Sequence, residues 1–226
     1  MTKIKKIAIL GCGWVGRALE EKLLLDGHSV QCLSRDIRVD RQSGYYVCDV
    51  LVIAIPPSDI YLDVLEEVFF SLSLHTNKST QIIFLSSISF YTKKKYIVEA
   101  EALVKLKDPD TVILRLGGLM GYDRIADKYT VGKTLDDSPT NYVHRDDVLG
   151  IIMCVIRQGT KNKTFDVVAP IQTTKKVIFA QNTQQYDFAM TYFSDKSSTS
   201  KPYSSQELRD TLGYTFIKKD VKNFWL

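Results

Sequence analysis

The chain alternates short apolar runs with longer segments in which apolar residues recur every three or four positions. Such runs are typical of strands buried on both faces, and such recurrence is typical of helices with one buried face. The runs predict strands at 7–10, 29–33, 50–55, 81–85, 111–116 and 164–168. The recurring pattern predicts helices at 61–74, 97–106 and 146–156, and an earlier helix that carries Val15, Ala18, Leu19 and Leu23 and ends at Gly27.

The first predicted strand runs directly into a glycine-rich turn, Gly11-Cys12-Gly13-Trp14-Val15-Gly16. In a Gly-x-Gly-x-x-Gly turn the first glycine permits a tight bend and the second leaves room for phosphates. The third lets the helix pack closely on the strand. Strand, turn, helix and second strand fit within about 30 residues, as in a dinucleotide-binding βαβ unit. The turn is therefore predicted to hold a pyrophosphate, with Cys12, Trp14 and Val15 beside it.

The second strand ends in Ser34-Arg35, where an NAD site would carry an acidic residue for the ribose hydroxyl. Arginine can pair with a 2′-phosphate through two hydrogen bonds, and serine can add another. We therefore expect NADP as the preferred cofactor, with NAD as the alternative. Arg17 and Arg38 are additional candidate cations, although all three arginines are equally compatible with a solvated surface.

The pattern as a whole predicts the α/β class, with a Rossmann-type doubly wound parallel sheet and a small C-terminal α+β lobe. Residues 1–120 are predicted to form the dinucleotide-binding core, completed by 140–169. Residues 121–139 and 170–226 are predicted to form a lobe on the substrate side. Within it, Ser204-Ser205 predict the start of a helix through Leu212, and 214–217 predict a strand. Residues 193–203 are polar and predict a loop.

Composition narrows the range of functions. The chain of 226 residues is 45% hydrophobic and 25% charged, which is typical of a globular protein, and its net charge of +4 is too dispersed to favour nucleic acid. No apolar stretch approaches the length of a membrane span, so a cytoplasmic protein is expected. The spacing of the four cysteines favours small unpaired residues, and with three histidines it predicts no metal site. The sequence leaves open whether two copies form a homodimer.

Five motifs in order resemble the extended, atypical branch of the short-chain dehydrogenase/reductase superfamily, the NAD-dependent epimerase/dehydratase-like proteins. They lie within residues 4–170 and comprise Gly11-Cys12-Gly13-Trp14-Val15-Gly16, the run Asp49–Pro57, Leu85-Ser86-Ser87 with Tyr91, Leu114–Gly121, and Asn141–Val148. The resemblance implies a nicotinamide cofactor, hydride chemistry and a small carbonyl or hydroxyl substrate, which is sugar-derived in one version of this hypothesis. Ile55, Pro56, Pro57 and Ser86 are expected to line the cofactor.

The resemblance also implies a serine that orients the substrate, and a tyrosine whose proton transfer is assisted by a lysine four residues later. Ser87 matches the serine, and Tyr91 with Lys95 has the required spacing, which would place both on one face if the segment were helical. The family carries this pair farther downstream, where Tyr96 is followed by Ala100 instead of lysine. We therefore favour Tyr91 as a wall of the substrate or cofactor pocket, with the Tyr91–Lys95 pair as the alternative.

Two shortened segments, between Leu33 and Val50 and between Tyr91 and Glu99, depart from the family pattern beside the expected cleft. They bear more on proton transfer than on cofactor binding. The leading hypothesis is an NADP-preferring oxidoreductase or epimerase-like enzyme. The alternative is a nucleotide-binding sensor or scaffold that has lost the catalytic pair. His144 is predicted to be a buried imidazole, and Asp146 and Asp147 to cap the helix that follows.

Overall fold

The computed structural model describes residues 3–33, 46–74, 80–187, 189–197 and 200–225. The strands are β1 Lys6–Leu10, β2 Ser29–Leu33, β3 Val50–Ile53, β4 Gln81–Ser87, β5 Val112–Leu116, β6 Gly118–Met120, β7 Thr134–Asp137, β8 Tyr142–His144, β9 Thr164–Val167 and β10 Tyr192–Ser197. The α-helices are α1 Trp14–Leu25, α2 Tyr61–Ser73, α3 Lys95–Lys107, α4 Arg145–Gln158, α5 Lys175–Tyr186 and α6 Gln206–Leu212.

The main sheet has six strands in the order β2-β1-β3-β4-β5-β9. Strand β1 pairs in parallel with both β2 and β3, and β3 pairs in parallel with β4. All four residues of β3 are buried, because helices connect successive parallel strands and cover the sheet. The predicted α/β class with a Rossmann-type sheet is confirmed. Most predicted element boundaries agree within two residues, which follows from the strong contrast between apolar runs and polar turns.

The chain divides into two compact units. The first unit comprises residues 1–115 and 151–165. Its core lies between β1, β3 and β4 on one side and α2 and α3 on the other, with Leu51, Leu65, Phe84 and Val104 among the fully buried side chains. Tyr61 stacks near Phe84 in this core, and its burial raises the pKa of the phenol.

The second unit comprises residues 116–150 and 166–226. It contains two small parallel sheets, β6 with β8 and β7 with β10. Its hydrophobic cluster includes Ile178 and Phe179 from α5 and Phe224 and Trp225 near the C-terminus. The division differs from the predicted domain boundaries in assigning residues 116–120, 140–150 and 166–169 to the second unit. The boundaries of functional domains stay a prediction.

The structure corrects two predictions in the C-terminal part and adds one helix that was not predicted. Residues 192–197, which overlap the predicted loop 193–203, form β10, because backbone pairing with β7 stabilises a polar strand that its sequence does not favour. Helix α5 was not predicted, since its polar residues obscure the helical period. Residues 214–217 do not form the predicted strand. By contrast α6 begins after Ser205 and ends at Gly213, as predicted.

Asp147 holds the chain at the end of the predicted strand 214–217. This buried carboxylate accepts hydrogen bonds from the backbone N–H of Ile217 at 2.6 Å and of Lys218 at 3.0 Å, and from the Tyr214 hydroxyl at 3.1 Å. The backbone N–H groups of Ile217 and Lys218 are thus used by a side chain and not by a neighbouring strand. Asp147 therefore anchors the C-terminal segment, where the sequence predicted a helix cap. Asp146 instead accepts a hydrogen bond from the Tyr122 hydroxyl.

Among the residues that the structure describes, no helix combines the length and the apolar character needed to cross a membrane.

Candidate functional site

The turn between β1 and α1 has the backbone geometry that its glycines predict. Gly11 has a φ of +108°, and a Cβ built on it would lie 2.6 Å from the backbone oxygen of Ala54. A Cβ on Gly16 would collide with the backbone oxygen of Gly11. Both positions therefore require glycine, the first for conformation and contact and the second for contact alone.

Gly13 is different, because a Cβ built on it would have no atom within 4 Å. It is the N-cap of α1 and is exposed, with Trp14 as the first helical residue. The backbone N–H groups of a first helical turn have no acceptor within their own helix and favour an anion. The first turn of α1 contains no acidic side chain and Gly13 provides no cap. The turn thus combines N–H donors with open space on the side where phosphates must approach.

Arg17 adds a positive charge next to this turn. Its Nε donates a hydrogen bond to the backbone oxygen of Cys12 at 3.1 Å, which holds the guanidinium against the glycine-rich segment. Val15 is buried behind the turn and Trp14 is half-buried. The loop thus places one cation and one indole ring where a bound dinucleotide would affect both.

Cys12 and Cys32 form a disulfide, so the prediction of four unpaired cysteines is wrong. Their Cα atoms are 5.7 Å apart, within the usual range for a disulfide. The reason is topological: β1 and β2 are adjacent, with Ile9 opposite Cys32, so the turn after β1 lies beside the end of β2. Sequence spacing does not reveal this proximity. Cys48, which is buried, and Cys154 are not disulfide-bonded.

The ends of β2 and β3 contain the other predicted cofactor residues. Ser34 and Arg35 lie outside the described residues, so the basis of the NADP preference stays a prediction. After β3, Ile55 is buried in the core of the first unit, whereas Pro56 and Pro57 are exposed. The prolines are therefore accessible to a ligand, while Ile55 supports the strand end from within.

Ser87 is the last residue of β4 and caps a short 3-10 helix, Ile88–Phe90. Its Oγ accepts a hydrogen bond from the Ser89 backbone N–H at 3.1 Å. Because that bond uses only a lone pair, the Ser87 hydroxyl keeps its proton for donation to another group. The structure thus gives the predicted serine a defined orientation at the end of a central strand, where ligands of parallel sheets bind.

Ser86, Tyr91, Glu101 and Arg115 form a hydrogen-bonded group that we call the Glu101–Arg115 cluster. The Ser86 hydroxyl donates to Glu101 at 2.6 Å. Arg115 donates to both carboxylate oxygens of Glu101, at 2.8 to 3.1 Å, and its Nη1 donates to the Tyr91 hydroxyl at 3.1 Å. Its guanidinium also lies 3.6 Å from the centre of the Phe90 ring. Each of the three guanidinium nitrogens thus donates to a defined neighbour.

Glu101 and Arg115 were not predicted as parts of a site. Glu101 lies on the buried face of α3 with Ile97, Ala100 and Val104, and Arg115 interrupts an otherwise apolar strand. Burial would lower the pKa of Arg115, but its hydrogen bonds to Glu101 and Tyr91 more than offset this and raise it. Two opposite charges at buried positions were the available signal, since such charges require partners.

Tyr91 and Lys95 line one surface pocket of about 510 Å³, together with Phe90, Lys93, Val98 and Glu99. They do not share a helix face: Tyr91 follows the 3-10 helix, Lys93 has a φ of +54°, and α3 begins at Lys95. The Lys95 ammonium lies 3.9 Å from the Glu99 carboxylate and is largely exposed. The helical geometry that motivated the Tyr91–Lys95 pair is therefore absent. Its catalytic role stays a prediction.

In the second unit, His144 is buried, with its Nδ1 accepting a hydrogen bond from the Asp146 backbone N–H at 3.2 Å. Burial lowers the pKa of His144, against the opposing effect of the Asp146 and Asp147 carboxylates. The buried imidazole agrees with the sequence expectation. Among the described residues, no three histidine, cysteine, aspartate or glutamate side chains form a group that could hold a metal ion.

Comparison with known proteins places this geometry in a wider group. No protein-family model matches the chain. The chain is 28% identical to protein YeeZ of Escherichia coli K12, over 79% of this chain and 82% of that protein.

Two solved structures share its fold over nearly the whole chain. One, assigned as an NAD-dependent epimerase/dehydratase from Methylobacillus flagellatus, has a TM-score of 0.77 at 20% identity and covers 98% of this chain and 96% of its own. The other is a short-chain dehydrogenase/reductase superfamily protein from Agrobacterium tumefaciens with bound NAD. Its TM-score is 0.72 at 12% identity, covering 95% and 94%. The chain therefore has the fold of the NAD-dependent epimerase/dehydratase and short-chain dehydrogenase/reductase proteins, as its motifs predicted.

Proposed function

We propose that this protein binds an NADP-type dinucleotide at the β1–α1 turn and acts as an oxidoreductase or epimerase-like enzyme on a small carbonyl or hydroxyl compound. The observation that carries the proposal is Gly13, whose missing side chain leaves open space at the N-terminus of α1. NAD bound to the structurally similar Agrobacterium tumefaciens protein supports a nicotinamide cofactor.

The pyrophosphate would be held by backbone N–H groups in the segment Gly11–Gly16, which includes Cys12, Trp14 and Val15. The residues present fit an anion, since the first turn of α1 has no carboxylate and Arg17 is hydrogen-bonded to the turn itself. The nicotinamide supplies hydride transfer when the cofactor is bound. Pro56 and Pro57 are exposed after β3 and would form the wall beside the ribose, with Ile55 behind them.

Preference for NADP over NAD would depend on Ser34 and Arg35, which follow β2. A guanidinium can bind the 2′-phosphate of NADP through two charge-assisted hydrogen bonds. NAD has an uncharged ribose hydroxyl at this position and cannot form this pair. Arg17 would contribute charge to either cofactor. Replacing Arg35 should therefore weaken the binding of NADPH more than the binding of NADH.

Ser87 and Tyr91 would contact the substrate. The Ser87 hydroxyl can donate to a substrate oxygen while its own oxygen accepts from Ser89. Tyr91 lines the pocket beside Phe90 and is 45% exposed, so its phenol can exchange a proton with a bound compound. Ser86 is buried and bonded to Glu101, which makes it a support for this end of β4.

The second candidate is a nucleotide-binding sensor or scaffold without turnover. The observation that favours it is the missing helical relation between Tyr91 and Lys95, which leaves the lysine exposed beside Glu99. Both candidates require the same dinucleotide site. They differ only in proton transfer.

Tryptophan fluorescence tests the cofactor. The protein has two tryptophans, and Trp225 is buried in the second unit with its Nε1 donating to the Arg124 backbone oxygen, so Trp225→Phe isolates the signal of Trp14. We expect NADPH to change this emission at micromolar concentration and NADH to do so only at about tenfold higher concentration, because one charge-assisted pair is lost. The matched variant Trp14→Phe should lose the response. Undetectable binding of both cofactors by calorimetry would overturn the proposal.

Turnover separates the two candidates. A panel of small carbonyl compounds and nucleotide sugars is incubated with NADPH or NADP. The enzyme proposal expects turnover that Tyr91→Phe and Ser87→Ala reduce by about 100-fold or more, with cofactor affinity unchanged. Micromolar cofactor binding without turnover on any compound would support the sensor.

A further inference from the structure

Tyr91 has a cationic neighbour that the Tyr-x-x-x-Lys spacing does not reveal. Arg115, 24 residues later in β5, donates from Nη1 to the Tyr91 hydroxyl oxygen at 3.1 Å. The centre of the guanidinium also lies 5.1 Å from the centre of the Tyr91 ring. A guanidinium has only donors and does not lose its proton in proteins. In this bond the Tyr91 oxygen must therefore be the acceptor, and its own proton is directed elsewhere.

The orientation of Arg115 is set from the buried side. Glu101, whose side chain is 5% exposed, receives three of its contacts, and Ser86 donates to the same carboxylate at 2.6 Å. The Arg115 side chain is 15% exposed and stacks on Phe90. These contacts leave the guanidinium little rotational freedom, so Nη1 is presented to Tyr91 in a fixed direction.

Lys95 is a weaker candidate for the same task. Its side chain is 78% exposed and its ammonium faces Glu99, so water and a carboxylate both reduce its effect on a phenolate. The turn that separates it from Tyr91 includes Lys93 at a positive φ, which prevents the one-face arrangement of a helix.

We propose that Arg115 is the positioning residue for Tyr91, which holds the phenol oxygen as an acceptor and stabilises the phenolate that remains after proton donation. The catalytic meaning of this pairing rests on the proposed function, which assigns proton transfer to Tyr91. The pairing itself concerns only atoms of the first unit and can be measured without substrate or cofactor.

Several other charged groups also act on Tyr91. From α3, Glu101 offsets part of the guanidinium charge and Glu99 opposes the phenolate, while Lys95 and the preceding Lys93 favour it from the pocket rim. Because the guanidinium is hydrogen-bonded and partly buried whereas the lysines are solvated, its effect should be the largest. Its removal should raise the midpoint of the Tyr91 titration by about one unit.

The test is a pH titration of protein labelled with ¹³C at tyrosine Cζ. The chain has 12 tyrosines, and the Tyr91 resonance is identified by its loss in Tyr91→Phe. We expect the Tyr91 midpoint to rise by about one unit in Arg115→Gln, because this variant removes the guanidinium charge. In Lys95→Met the midpoint should move by only a few tenths of a unit. An equal or larger shift in Lys95→Met, or no shift in Arg115→Gln, would overturn the assignment.

Glu101→Gln is a control that separates an effect of charge on Tyr91 from a general loss of local structure. It keeps the side-chain size but removes the charge that offsets Arg115, so the Tyr91 midpoint should fall further. A rise would mean that the Glu101 charge supports Tyr91 in some other way and would contradict the inference. If these shifts occur but NADPH does not bind, the proposed function fails while the pairing stands. If NADPH binds and the shifts are absent, the pairing alone fails.

Discussion

The β1–α1 turn and the Glu101–Arg115 cluster belong to the same unit and are built in opposite ways. The turn consists of six consecutive residues, and its shape depends on backbone contacts such as the one between Gly16 and the Gly11 oxygen. The cluster takes single side chains from β4, from the turn before α3, from α3 and from β5, with separations of 14 to 24 residues between bonded partners. Steric requirements therefore define the first region, and compensation of buried charge defines the second.

The turn should show the largest single-residue effect. Gly16→Val places a side chain against the Gly11 backbone oxygen, which cannot move without displacing β1, so we expect a loss of at least about 4 kcal/mol or no folded protein. The measurement is equilibrium unfolding in urea. Gly13→Ala is the matched control: it meets no atom within 4 Å and should change stability by less than about 1 kcal/mol. Similar losses in both variants would show that the turn is not sterically determined.

The cluster should show a somewhat smaller effect that depends on charge. Glu101→Leu leaves the Arg115 guanidinium without its carboxylate partner in a mostly buried position, which should cost about 3 kcal/mol of unfolding free energy. Glu99→Leu on the same helix removes an exposed pair with Lys95 and should cost less than about 0.5 kcal/mol. The comparison would fail if the two variants unfolded at the same urea concentration.

The disulfide provides a test of whether the glycine-rich turn also depends on a cross-link to a distant part of the chain. Cys12 in the turn is joined to Cys32 in β2 across 20 residues, and reduction of a cross-link of this span should lower stability by about 3 kcal/mol. Peptide mapping without reductant should recover the linked pair, and the double variant Cys12→Ser/Cys32→Ser should be insensitive to reductant. Detection of four reactive thiols in untreated, denatured protein would contradict the cross-link.

The smallest expected effect comes from His144, a buried titratable group in the second unit. It concerns how the free energy of unfolding depends on pH. Because burial lowers the folded-state pKa of His144, the unfolded state binds the proton more readily. The contribution of neutral His144 to stability is complete above about pH 6.5 and is lost as the pH falls from there towards the folded-state pKa. His144→Gln should flatten this loss in unfolding measured between pH 8 and pH 5. Equal slopes in both proteins would contradict it.

Much of the first unit was predictable because its signals are local. The apolar runs specify β1, β2 and β3. The glycines specify the turn through the positive φ of Gly11 and the close approach of Gly16 to the Gly11 backbone oxygen, five residues earlier. Polar segments were less predictable. Strand β10 owes its form to pairing with β7, and the backbone of 217–218 is held by the Asp147 carboxylate, so neither carries its own sequence signal.

By itself, the sequence determined the Rossmann-type sheet and the glycine turn, because burial of apolar runs and the steric limits of a backbone without Cβ act between near neighbours. Only the tertiary structure decided that Cys12 meets Cys32, and that Tyr91 faces Arg115 at the site where spacing suggested Lys95. Those contacts form only when the strands pair in the sheet and the helices pack against it. A buried charge or a thiol is then paired with whichever group the sheet order brings beside it.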